Sequence, residues 1–128
     1  MWTFMACPAP GGGRPMDEFL GELGEEAYQN FYAVLDGLAH VERHFWRRPQ
    51  FDVLHGYVNM GEILFNGDAK AYRVFGCFGP HRKHFTMLAG HSKKRGLDKE
   101  IKLADKRRKF AEANEDLLYE FTFEKELS

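Results

Sequence analysis

Arg73, Arg82, Lys83, Lys93, Lys94 and Arg95 crowd one short stretch together with His81, His84 and His91, in KAYRVFGCFGPHRKHFTMLAGHSKKRG (residues 70–96). Guanidinium and ammonium groups bind phosphates, and imidazole is the side chain that most readily carries a proton near neutral pH. The combination is suited to holding a phosphodiester and moving protons around it. Two apolar runs, YRVFGCF and HFTMLAG, bracket the connector GPHRKH, so the cations sit on a hairpin of strand-like segments.

The charge balance of the chain points the same way. Its 128 residues carry a formal net charge of -1, but residues 63–110 alone carry +9, between flanks of -5 each. A central basic block of that size is an electrostatic footprint for a polyanion, with acidic flanks that weaken non-specific binding. The length suits one domain. Cys7 and Cys77 both lie in apolar runs, with no secretory signal before them, and read as buried free thiols of a cytoplasmic protein. MWTFMACPAPGGGRP is broken too early by Pro and Gly for a membrane span, and its triple Gly lacks the Gly-Lys-Ser/Thr of a phosphate loop.

The elements that position these side chains follow from periodicity. WTFMAC reads as a first strand, and residues 1–15 as that strand plus a Gly-rich connector. Residues 16–44 read as helices, with Phe31, Leu35 and Leu38 among the apolar positions and Gly24 as a break. RRPQFDVLHG reads as a connector. Three strands are expected at 57–65, 71–78 and 84–92, forming an antiparallel meander over 57–92 whose first turn is signalled by Asn66-Gly67. A C-terminal helix is expected over 97–121. The fold class is α+β: a small, mostly antiparallel sheet with the N-terminal helices on one face.

On the middle strand Arg73 shares a face with Phe75 and Cys77. On the next, strict alternation sets Phe85, Met87, Ala89, His91 and Lys93 on one face and His84, Thr86, Leu88 and Lys94 on the other. An arginine on a central strand is either ion-paired, with Glu62 of the neighbouring strand as the partner, or aimed into a groove. FWRRP (45–49) either stacks on a base and holds a phosphate or, as we expect, packs Phe45 and Trp46 inwards.

GEILF (61–65), YRVFG (72–76), LAGHSKK (88–94) and EIKLADKRR (100–108), in this order, resemble the RelE/ParE superfamily of toxins from type II toxin–antitoxin modules, and most of all its HigB-like branch. The resemblance implies a RelE-like fold and a metal-independent endoribonuclease (an mRNA interferase) without a cofactor. Such an enzyme cleaves mRNA, commonly on the ribosome, by attack of the ribose 2′-OH on the adjacent phosphate. It also implies a cognate antitoxin, expected to be a helix-turn-helix protein, and no membrane partner. Arg73 matches the family's strand arginine, and Lys93 and Lys94 its basic pair. We take Arg73, Lys93 and His91 as catalytic candidates, and Lys94, Arg95, Arg82 and Lys83 as RNA-binding ones. His84, His81 and Tyr119 are alternatives for the proton-transfer role. Leu64 stands where relatives often carry Arg. A gyrase-poisoning toxin of the ParE-like kind, acting by protein–protein contact, and a degenerate RNA-binding relative are the alternative functions.

Overall fold

The computed structural model describes residues 1–92 and 95–123. Its elements are β1 (Thr3–Ala6), α1 (Pro15–Glu22), α2 (Glu25–Ala39), β2 (Phe51–Val53), β3 (Met60–Gly67), β4 (Lys70–Phe78), β5 (His84–His91), α3 (Leu97–Ala113) and β6 (Tyr119–Glu120). Short 3-10 turns occupy Arg43–Phe45 and Glu115–Leu117. The six strands form one sheet in the order β2-β3-β4-β5-β1-β6. Every pairing is antiparallel except β1 with β5, which is parallel. The architecture is α+β, as the periodicity predicts.

The sheet is covered on both faces. Met16, Phe19, Leu20, Phe31, Leu35 and Leu38 of α1 and α2 pack on Ile63, Phe65, Val74, Phe85 and Met87. Ile101, Ala104 and Ala111 of α3 pack on Phe75, Cys77, Leu88 and Ala89 of the other face. Each phenylalanine fully buried in this way contributes about 2–3 kcal/mol. The two helical layers follow from the α3-facing residues Phe75 and Cys77 alternating with the α1/α2-facing Val74 and Phe78 along β4.

Three expectations need correction. RRPQFDVLHG is not only a connector, because Phe51–Val53 adds β2 to the edge of β3. The C-terminal helix stops at Ala113, and Tyr119–Glu120 turns back to pair with Met5 and Ala6. Asn114, whose φ is -137°, leaves the helical conformation and ends it. The turn between β3 and β4 is not at Asn66-Gly67. Gly67 pairs with Lys70, and the two turn residues are Asp68 and Ala69, both left-handed with φ of 54° and 60°. Gly67 has another role: a Cβ there would stand 2.4 Å from the Cα of Ala27, so its absence lets α2 lie directly on the strand.

Strict alternation also fails once, in β5. Gly76 pairs with Met87, but Phe75 pairs with Ala89, so Leu88 is an extra residue, a β-bulge. Phe85 and Met87 therefore face α1 and α2, whereas Ala89 and His91 face the α3 side. Arg107 of α3 closes the irregularity, its Nη1 donating to the carbonyl of Leu88 at 2.9 Å.

Candidate functional site

The bulge brings His91 onto the same face as Arg73, directly across the β4–β5 pairing. Arg73 lies equally opposite Leu64 of β3, and Glu62 sits one diagonal step away on the same face. Arg73 Nη1 donates to both carboxylate oxygens of Glu62, at 3.0 Å each. The ion pair read as one alternative from the sequence is thus formed. It does not exhaust the arginine. Only Nη1 is engaged, and Nε and Nη2 make no hydrogen bond among the described residues. The side chain of Arg73 stays 36% exposed while that of Glu62 is 5% exposed. A buried carboxylate thus fixes the inner corner of a guanidinium whose other corner reaches solvent.

Beside it opens a cleft of about 400 Å³ lined by Lys70, Ala71, Arg73, His91, Ser92 and Leu97. His91 is buried, with its ring tilted against Phe75 at 6.5 Å between centroids. Its Nε2 is covered and has no hydrogen-bond partner among the described residues. A buried polar atom without a partner costs about 1–3 kcal/mol, and such atoms in folded proteins call for an explanation.

A second, smaller cleft of about 210 Å³ lies on the other side of Arg73, lined also by Arg48, Leu64, Asn66 and Tyr72. Arg48 Nε donates to Asp52 Oδ2 at 3.0 Å, and its Nη2 stands 3.8 Å from Glu62 Oε1. Glu62 is therefore shared by two guanidinium groups.

Residues 18–109 match the family described as Phage derived protein Gp49-like (DUF891). The chain belongs to the Gp49-like family. This is a toxin-like family of the RelE/HigB type. No curated protein and no solved structure matches the chain. In this Gp49-like chain the matched segment runs from α1 almost to the end of α3 and contains Arg48, Glu62, Arg73 and His91, with β1 and β6 outside it.

The Gp49-like scaffold gathers some of the sequence candidates and separates others. Arg73 and His91 meet at the cleft. Lys93 and Lys94 lie outside the described residues. Arg95 is exposed just before Gly96, which takes a left-handed φ of 82° to start α3. Arg82 and Lys83 are at the opposite end of the β4–β5 hairpin, about 17 Å along the strand from Arg73 at about 3.3 Å per residue. There Lys83 Nζ lies 3.6 Å from Glu42. His81 and His84 pair with each other at that same end, their rings 5.1 Å apart. Tyr119 is on β6, three strands from Arg73, under the guanidinium of Arg14. Burial and the nearby Asp17 raise its hydroxyl pKa.

Arg48 is the site residue that sequence reasoning undervalued. FWRRP does half of each thing read into it. Trp46 is buried against Phe4 and Phe51, with Nε1 donating to the Leu38 carbonyl at 2.9 Å. Phe45 is 52% exposed, against expectation, and Arg48 reaches the cleft. The signal was the Arg-Arg-Pro run itself, but only the pairing of β2 with β3 reveals its direction. Among the described residues no group of three or more His, Cys, Asp or Glu could hold a metal ion, and no helix is long and apolar enough to cross a membrane.

Proposed function

We propose that the protein is the toxin of a toxin–antitoxin module and acts as an endoribonuclease that needs no metal ion. The observation that carries this reading is the half-engaged guanidinium of Arg73 beside its cross-strand neighbour His91, whose Nε2 has no partner among the described residues, at a nucleotide-sized cleft. Membership of a toxin-like family supports the biological setting.

The chemistry divides between the two side chains. The free edge of Arg73, carrying Nε and Nη2, grips two non-bridging oxygens of the scissile phosphate, where its planar fork fits. The ribose 2′-oxygen attacks the phosphorus in line, its proton passing to a base, and the 5′-oxygen leaves with a proton. The products are a 2′,3′-cyclic phosphate and a 5′-OH end. Negative charge builds on the phosphorane, and Arg73, held in place by Glu62, meets it without reorganising. His91, which lines the cleft with its Nε2 covered, exchanges a proton with the reacting oxygens through Nδ1 in this scheme. Lys93, from the same stretch, supplies further positive charge in this scheme. The cellular partners are mRNA, on the ribosome, and an antitoxin that covers or distorts the cleft, within the cytoplasm.

The test is incubation of purified protein with RNA in the presence of EDTA, followed by analysis of the new ends. Cleavage leaving 5′-OH and 2′,3′-cyclic phosphate ends, lost on Arg73→Ala, is the expected result. An Arg73 that serves only as the ion-pair partner of Glu62 is the premise of the degenerate RNA-binding alternative. That alternative predicts RNA binding without new ends, and DNA damage on expression would point to a gyrase poison.

A further inference from the structure

We propose that the smaller cleft is a second nucleotide subsite and that Arg48 is its phosphate-binding residue. This rests on the proposed RNA cleavage at Arg73. The two clefts share Ala71 and Arg73, so a strand whose phosphate lies on Arg73 has one nucleotide directed into each. The smaller cleft already has the parts that such a nucleotide requires. Asn66 exposes a side chain at its rim, and Leu64 gives an apolar wall. Arg48 is 62% exposed, yet Asp52 fixes its Nε and the Glu62 carboxylate stands 3.8 Å from Nη2. Neither Nη group makes a hydrogen bond to Asp52 or Glu62. Glu62 thus holds the Arg73 guanidinium and Asp52 that of Arg48, leaving each with free N–H groups for one of two successive phosphates.

Leu64 makes the assignment sharper. It lies directly opposite Arg73 in the β3–β4 pairing and lines the same cleft as Arg48. A cation at position 64 would point to the same place. Arg48, arriving from the turn before β2, brings to this cleft a cation that the apolar Leu64 does not provide.

The phosphate on Arg48 keeps its charge through the reaction, so this contact is equally strong in ground and transition states. Its loss should raise KM and leave kcat unchanged. The experiment compares parental protein with Arg48→Ala and Arg48→Gln on RNA dinucleotides, which carry one phosphate, and trinucleotides, which carry two. The melting temperature of each variant is measured on the same sample. For the parent, the trinucleotide should have the lower KM. In Arg48→Ala that advantage should shrink by about tenfold at unchanged kcat, and the salt dependence of binding to a longer RNA should fall by about one phosphate contact. Dinucleotide cleavage should not change. Adding Leu64→Arg to Arg48→Ala should restore the trinucleotide advantage. If Arg48→Ala retains the parental KM and salt slope while the parent cleaves RNA, the subsite is overturned and cleavage at Arg73 stands. A parent that neither binds nor cleaves RNA overturns both. Equal loss on di- and trinucleotides removes Arg48 from a second subsite.

Discussion

At the scale of single residues, Arg73 is bound to Glu62 and is also our candidate for the phosphate, so Arg73→Ala alone cannot separate the two roles. It should lower the cleavage rate constant on the order of 10²–10³. It should also destabilise the fold, because Glu62 is 4% exposed and would keep only the distant Arg48. The double variant Arg73→Ala/Glu62→Gln distinguishes them. Removing the buried charge along with its partner should recover most of the lost melting temperature and none of the activity. A double variant that regains the parental cleavage rate would remove Arg73 from the chemistry. The Glu62–Arg73 pair was legible in the sequence because a hairpin places neighbouring strands together whatever else the chain does. The place of Arg48 was not, since it depends on a three-residue edge strand.

At the scale of elements, the β3–β4 hairpin shows how tightly α2 and the sheet are matched. Its tip holds Ala69 at a φ of 60°, a conformation that costs a residue with a Cβ about 1 kcal/mol. Ala69→Gly should therefore raise stability by about 0.5–1 kcal/mol in chemical denaturation. Gly67→Ala, two residues earlier, should do the reverse by about 1–3 kcal/mol, because its new methyl meets the backbone of Ala27. A shift of the unfolding midpoint in the same direction for both substitutions would exclude this pairing of strain at Ala69 with close packing at Gly67. The helices and the three long strands were readable because each runs long enough to repeat its period. β2 and β6, with three and two residues, have no period to read. The bulge at Leu88 was hidden for a different reason. Phe85, Met87, Ala89 and His91 alternate perfectly in sequence, and only the extra residue divides them between faces. The side of the sheet on which His91 stands thus follows from the bulge, where Arg107 bonds the Leu88 carbonyl.

At the scale of the whole molecule, both cysteines lie in the core beneath α3. Burial, helped by the charge of Glu112, pushes the Cys77 thiol from an ordinary 9.0 up to about 12. Cys7 and Tyr72 shift upward too, chiefly through burial. Between pH 9 and about 12 the unfolded chain therefore releases a proton that native Cys77 keeps. Stability from this group is complete below pH 9 and declines as pH rises, by up to about 1.4 kcal/mol per pH unit. Urea unfolding across that range should show the decline, and Cys77→Ala should flatten it. An identical slope in the variant would exclude Cys77 as a cause. The sheet order has a consequence in time. β1 sits between β5 and β6, so both of its neighbours are synthesised well after it. At about 5–20 residues per second, translation takes roughly 6–23 s to travel from Thr3 to Glu120. For most of that interval β1 waits for β5, and it gains its second neighbour only with β6. On a translating ribosome the six-stranded sheet is therefore complete only once Tyr119–Glu120 has emerged.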